Sequence, residues 1–413
     1  MFLARLALRN VFRNRRRSVI TLLAIGTGIF TLVLTMGLTN GYGRQAELNL
    51  IDLEYGHLEI FRAGYYEDKL AGLEDAIAAP AAVEAAARAL PDVAAVAERL
   101  SVASLLHFQG DEMPALAVGI DPVADNQVFR LQPSIVAGRW FTDGAEGLIG
   151  DRMAKTLGIK PGDVLIWQAR ARGGPDAAPI QAVEVTVVGI LSTGDPALDG
   201  TILFVPLAFA RESLLAGPRA TVLAVRLRDP DRLDGAAAAL AAAIGPDYEV
   251  KTWRELGRDF LQLYQVKRAG NFIMVLVFLA LVSVGIVNTM LMATYERQRE
   301  IGMFLALGMA RREVRRLFLL EGAFLGMWGA VAGVALSSPL VWLLQVYGLP
   351  IAWISGGKDV DIGFPIRGVM YGELSAGLVI EALALGVILA TAASLWPAWR
   401  VSRLEPTAAL RRV

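Results

Sequence analysis

The chain has 413 residues, 55% of them hydrophobic and 19% charged. That is too apolar for an ordinary soluble enzyme and too charged for a wholly embedded bundle, so a membrane anchor carrying a sizeable soluble domain is expected. Basic and acidic residues balance at 40 each, which removes the positive field that nucleic acid would require. Cysteine is absent and the histidines are His57 and His107 alone, so there are no disulfides or thiolate metal sites, and a histidine-based metal or acid–base centre is not expected.

Residues 1–17 place Leu3, Leu6, Ala7 and Val11 at helical spacing against Arg5, Arg9, Arg13 and the triplet Arg15, Arg16, Arg17. This reads as an interfacial helix resting on anionic lipid. A cleaved signal peptide would share the basic start, but residues 18–38 are 21 uncharged residues, longer than the apolar part of such a peptide. They are taken as the first membrane span, with the preceding arginines holding the amino end in the cytoplasm.

Between residues 39 and 268 no window approaches a span, and the pattern changes to short strands and alanine-rich helices. A folded domain across the membrane is expected there. Residues 44–53 continue the first span as a stalk, 57–61 alternate like a strand, and 80–90 form a helix with Pro80 near its start. Strand signals at 102–108 and 115–120 flank the turn residues Gly110 and Asp111. A second unit spans 131–217: strand signals at 148–150, 183–191 and 201–205, a short helix at 153–157, turn residues Gly162 and Asp163, and a hairpin tip at 171–179. The first unit resumes at 218 with strands at 221–227 and 248–252, a helix at 232–243, and a second stalk over 253–267. The domain thus reads as an α/β unit over 39–130 and 218–268, interrupted by a mainly β insertion.

Residues 269–294 are 26 positions without a charge, the second span. The third is placed at 317–346 and the fourth at 374–397, giving a fold class of four transmembrane helices plus an α/β extracytoplasmic domain. Six arginines precede the first span, six lie in 295–316, and Arg400, Arg403, Arg411 and Arg412 fall in the tail 398–413. The loop 347–373 holds only Lys358 and Arg367 as bases, so both termini and the 295–316 segment are expected inside. That segment, with an apolar face of Ile301, Phe304, Leu305 and Leu307, reads as an amphipathic helix presented to a soluble partner.

Gly322, Gly326, Gly329 and Gly333 step along the third span, and Ala382, Gly386, Ala390 and Ser394 along the fourth. Small-residue stripes let helix backbones approach where lipid offers no hydrophobic drive; contact within one chain and contact between two copies both remain open. Asn288 and Glu381 are the polar exceptions within spans, and a lone carboxylate at depth costs ~3 kcal/mol or more. With Met290 and Leu291 they mark a candidate membrane cavity, although Glu381 could instead reach the headgroups or accept a hydrogen bond, and Asn288 could join helices. No catalytic constellation emerges. Gly173-Gly174 and Gly356-Gly357 lack the lysine and serine of a phosphate-binding loop, so ATP is not expected on this chain. Asp195, Asp199, Asp359 and Asp361 suit turn capping better than a hard cation.

One span, a large outer domain and three clustered spans with a basic loop after the second resemble the FtsX/MacB/Lol class of ABC-transporter permeases. The segment ERQREIGMFLALGMARREVRRLFLLEGAFLGMWGAVAG (296–333) looks like the signature of that class, and PAWRVSRLEPTAALR (397–411) is similar to its tail. In the outer domain LPDVAAVAERL, VGIDPVADNQVF, LIGDRMAKTLGIKPGDVL, VVGILSTGDPALDGTILFVPL and KTWRELGRDFLQLY resemble, in order, the lipoprotein-releasing permeases of the LolC/LolE type. The resemblance implies a Porter-like unit split by a Sabre-like insertion, in a bacterial inner membrane. It implies a cytoplasmic ABC ATPase dimer that carries ATP and Mg, docking at Glu296, Arg297, Arg299, Glu300, Ile301 and Leu305 with Gly302 and Gly308 allowing close approach. It also implies a second copy or a related permease chain, and, for the Lol type, lipoprotein cargo and a periplasmic carrier. Lipoprotein extraction is the leading expectation. MacB-like efflux and an FtsX-like scaffold activating an external hydrolase are the alternatives, the last disfavoured by the long insertion.

Overall fold

Apolar length and strand alternation divide the labour in this chain between long helices and a large sheet, with a further two-stranded pair, Leu349–Pro350 and Val369–Met370, among the described residues. The computed structural model describes residues 2–13, 15–68, 72–171, 179–350, 353 and 369–403. Residues 172–178 of the hairpin tip expected over 171–179, with Gly173 and Gly174, lie outside them, as do Gly356, Gly357, Lys358, Asp359, Asp361, Arg367, Arg411 and Arg412. Two units are distinguished: Met1–Gly43, Leu263–Leu349 and Met370–Val413 in one, Arg44–Gln262 and Pro350–Val369 in the other.

The chain opens with α1 (Phe2–Arg13) and α2 (Arg15–Asn49), and α2 runs on into a π-helical turn, Leu50–Tyr55. Gly56, at φ 70°, stops it in a conformation that a side chain would disfavour. The second unit follows: β1 (Leu58–Arg62), α3 (Pro80–Arg88), β2 (Val93–Phe108), β3 (Asp111–Ile120), α4 (Asp125–Val128), β4 (Ile135–Gly138), β5 (Glu146–Gly150) and α5 (Asp151–Leu157). Then come β6 (Val164–Arg170), β7 (Ile180–Leu191), α6 (Pro196–Thr201), β8 (Ile202–Pro206), α7 (Leu207–Ser213), β9 (Val222–Leu227), α8 (Leu233–Ile244), β10 (Tyr248–Thr252) and α9 (Trp253–Leu256).

Among the described residues these strands form a single ten-stranded sheet in the order β10-β1-β9-β2-β3-β8-β5-β7-β4, with β6 pairing β2 and β7. The strands of the expected insertion therefore do not close on themselves. They extend the same sheet through the parallel pair β3–β8 and the antiparallel pair β2–β6. β2 makes this possible by being long: its first part pairs β9 from Val93 to Arg99, and Ser104 to His107 pair β6. One side of the sheet is closed by α3 and α8, whose Val83, Ala87, Leu233 and Leu240 pack on Leu58, Ile60, Val96 and Leu223. Each such large apolar side chain contributes ~1.5–3 kcal/mol.

The first unit resumes with α10 (Arg258–Glu296), α11 (Gln298–Ala306), α12 (Arg311–Tyr347) and α13 (Ala376–Ser402). Among the described residues four helices are long and apolar enough to cross a membrane: Arg15–Tyr55, Arg258–Glu296, Arg311–Tyr347 and Ala376–Ser402. The expected single amphipathic helix over 295–316 is instead α11, a turn, and the start of α12. Gly308, at φ 93°, reverses the chain, and the Glu313 carboxylate accepts from the Ala310 amide (3.0 Å) to start α12. The small-residue stripes pack within the chain. A Cβ on Gly326 would lie 2.7 Å from both the Ala390 Cβ and the Gly386 carbonyl oxygen of α13, and one on Gly333 would lie 2.6 Å from the Gly26 carbonyl oxygen of α2. One stripe thus serves two helices, with Gly322 also facing α13 and Gly329 facing Ile25 of α2; Ala382, Gly386 and Ala390 are buried on the opposing helix.

Candidate coupling segment and membrane cavity

The link between α10 and α11 is fixed from beneath by a buried polar cluster. Arg297 Nη1 lies 3.2 Å from Glu321 Oε1 on α12, and its Nη2 donates to the Asn10 carbonyl on α1 at 3.1 Å. The Asn10 amide donates to the same Glu321 oxygen at 2.6 Å. All three residues are buried, and a buried charge is tolerable only when it is paired and hydrogen-bonded. Two further ion pairs reach this segment, Arg13 of α1 to both Glu300 oxygens at 2.8 Å and Arg17 of α2 to Glu296 at 3.1 Å. Below α11, Ile301 packs with Val314 and Phe318 of α12 and Ala398 and Val401 of α13.

Arg297, Ile301 and Gly302 are buried, Glu300 and Leu305 half-buried, and Glu296, Arg299 and Gly308 exposed. Of the expected apolar face, Leu307 points outward, 79% exposed, and Met303 stands beside it at 49%. Sequence reasoning missed Asn10 and Glu321. The available signal was Asn10 between Ala7 and Val11 on the apolar face of α1, and a lone carboxylate opening an uncharged span.

A cavity of about 610 Å³ opens among α2, α10 and α13. Leu32, Met36, Phe272, Leu378, Leu385 and Ile388 supply apolar walls, while Asn40, Gln265, Arg268 and Glu381 add polar groups. Glu381 and Arg268 form no ion pair among the described residues. The other cavity candidates lie elsewhere: Met290 is buried in the helical core, Leu291 is half-buried and Asn288 is exposed. The lining face of α10 is the Gln265, Arg268, Ala269, Phe272 stripe, several turns earlier. This arrangement suits an amphiphile, with apolar chains against the walls and a polar group beside Arg268 and Glu381.

In the sheet unit, Asp195 caps α6 by accepting from Ala197 and Leu198, and buried Asp199 accepts from the Thr193 amide and hydroxyl. Both carboxylates are occupied in turn geometry. Among the described residues no cluster of three or more acidic, histidine or cysteine side chains could hold a metal.

Two family descriptions match this sequence: MacB-like periplasmic core domain over residues 18–243, and FtsX-like permease C-terminal over residues 272–406. The lipoprotein-releasing system transmembrane protein LolC of Neisseria meningitidis is 24% identical, over 98% of this chain and 97% of that one. The pyoverdine export ATP-binding/permease protein PvdT of Pseudomonas putida is 26% identical over 98% of this chain but 58% of its own length. The periplasmic region of MacB from Actinobacillus actinomycetemcomitans aligns in three dimensions over 49% of this chain and 91% of that one, with TM-score 0.35 and 14% identity.

Proposed function

We propose that this chain, which belongs to the MacB-like periplasmic core domain family and to the FtsX/MacB/Lol class of ABC transporter permeases, extracts lipoproteins from the outer leaflet of a bacterial inner membrane. The observation that carries the reading is the cavity among α2, α10 and α13, whose apolar walls and polar groups match an acylated, charged cargo. Acyl chains bury ~0.8 kcal/mol per methylene, so a multiply acylated protein leaves a bilayer only when work is done on it.

That work would come from ATP and Mg bound by a separate cytoplasmic ATPase dimer. Docking would use the exposed residues of the α11 region, Glu296, Arg299, Met303, Leu307 and Gly308, while Arg297, Ile301 and Gly302 hold that surface in place. Both termini would then be cytoplasmic and the sheet unit periplasmic, with residues 39–130 and 218–268 as a Porter-like part and 131–217 as a Sabre-like part. α2 and α10 each continue unbroken past the limits of the helical unit, to Asn49 and from Arg258. They are the natural transmission elements. A second copy or a related permease chain would complete the complex, and a periplasmic carrier would accept the cargo. The similarity to PvdT over 98% of this chain keeps an export role as the second reading.

The test is to purify the full chain under mild detergent beside Ala384→Trp, which fills the cavity without touching α11. Lipoproteins should be lost from the variant while the ATPase is retained. Undiminished lipoprotein recovery with the variant would remove the extraction reading.

A further inference from the structure

The sheet unit contains a second cavity, about 190 Å³, between β1, β2 and the π-helical turn. Strand alternation explains what it contains. Leu58 and Ile60 of β1 enter the core under α3 and α8, so Glu59 and Phe61 go to the opposite side. Glu59 is 7% exposed and makes no hydrogen bond or ion pair among the described residues. Glu54, on the π-helical turn, lines the same cavity.

The one basic side chain among the described lining residues is already committed. Arg99 donates to both Asp125 oxygens at 2.8 and 3.1 Å and to the Glu54 carbonyl at 3.1 Å, and its guanidinium lies 3.3 Å over the Phe129 ring. The cavity therefore holds two carboxyl groups and a cation that Asp125 has neutralised. An unpartnered carboxylate at this depth either takes a proton or requires a cation. Burial pushes the Glu59 carboxyl up to about 8, Glu54 adding to the rise and Arg99 opposing it. Glu59 thus holds its proton near pH 7, and an incoming cation gains a charge partner by displacing that proton.

The cation is not a bare metal, for which the described residues offer no cluster of three acidic or histidine ligands. Tyr55, Phe61 and Tyr65 form aromatic walls, with Phe61 and Tyr65 stacked at 6.3 Å, and such faces attract organic cations. The volume is that of roughly six waters, room for an ion of about ten heavy atoms and too little for acyl chains. We propose that this pocket binds a small organic ammonium ion, with Glu59 as its charge partner, Glu54 as a second acceptor and Tyr55, Phe61 and Tyr65 as its walls. Occupancy would tie the π-helical turn to β1. The proposal does not rest on the extraction reading and survives its failure.

The test titrates choline chloride and ethanolamine hydrochloride into the purified full-length protein by calorimetry, against sodium chloride at equal ionic strength and 3,3-dimethylbutanol, the uncharged isostere of choline. Saturable binding of at least one ammonium probe is expected, tightening between about pH 6 and about pH 8.5 as Glu54, raised by burial to about 7, and Glu59, raised to about 8, give up their protons. Glu59→Gln, nearly isosteric, should weaken it by about tenfold or more. Should that variant unfold, the wild-type contrast between choline and dimethylbutanol decides. The proposal is overturned if neither ammonium probe binds saturably, if the uncharged isostere binds equally well, or if a folded Glu59→Gln binds unchanged.

Discussion

Arg297 stands in the segment whose charges most invite a surface role, yet it is buried against Glu321 and Asn10. Its replacement by alanine would leave a buried carboxylate without its cation, at a cost of ~3–5 kcal/mol, while Arg13→Ala, which breaks an exposed pair, should cost less than ~1 kcal/mol. Thermal unfolding in detergent should separate the two variants clearly, and equal midpoints would show that the buried cluster contributes no more than the exposed pair. Glu59 gives a pH signature. Its carboxyl holds a proton up to about pH 8 in the folded chain and ionises near 4.5 when unfolded. The folded state therefore binds more protons across that window, so this contribution to stability is complete below it and lost as pH rises through 8. Glu59→Gln should make the stability–pH curve shallower between those limits, Glu54, also raised by burial to about 7, keeping part of the slope, and raise stability at the alkaline end by a few kcal/mol, on the order of the shift at Glu59; a slope identical to wild type would contradict this. Neither residue was legible as buried from the sequence. Partners 24 and 287 positions away, Glu321 and Asn10, decide the environment of Arg297, and the alternation of β1 places Glu59 only once its inward face is known.

At the scale of elements, α11 is a short helix whose underside is consumed by α12 and α13, with Met303 on its outer edge and Leu307 exposed at its C-cap. An exposed leucine at the end of such a helix has no folding role to lose. Leu307→Asp should leave the unfolding midpoint within about 0.5 kcal/mol of wild type and reduce ATPase co-purification about tenfold or more, as loss of an apolar anchor does. Full retention of the ATPase would remove Leu307 from the docking surface. The glycine stripe was visible in the sequence because its spacing is itself the physics of close helix approach, but its division between α13 and α2 was not, since periodicity does not name a partner. The first half of β2 was invisible for a different reason. Ala94, Ala95 and Ala97 carry little strand preference, and pairing to β9 rather than local propensity makes that stretch extended.

For the whole molecule, the four long apolar helices and the division into helices and sheet followed from hydropathy and alternation, which report burial directly. The continuity of the ten-stranded sheet through the expected insertion did not, because strand order is set by non-local pairing. Glu381 lines the cavity together with the Gln265 to Phe272 part of α10 rather than with Met290 and Leu291, since a polar residue within a span signals a wet site without saying which face of the neighbouring helix meets it. The central claim is that the cavity among α2, α10 and α13 holds acyl chains until ATP drives them out. The most direct measurement places the full chain and the proposed ATPase partner in nanodiscs with a diacylated lipopeptide bearing a photoreactive acyl chain, and maps the labelled residues with and without ATP and Mg. The account predicts labelling at Leu378, Leu385 and Ile388 that falls sharply when ATP and Mg are present. Labelling confined to other surfaces, or labelling of the cavity that ATP leaves unchanged, would contradict it.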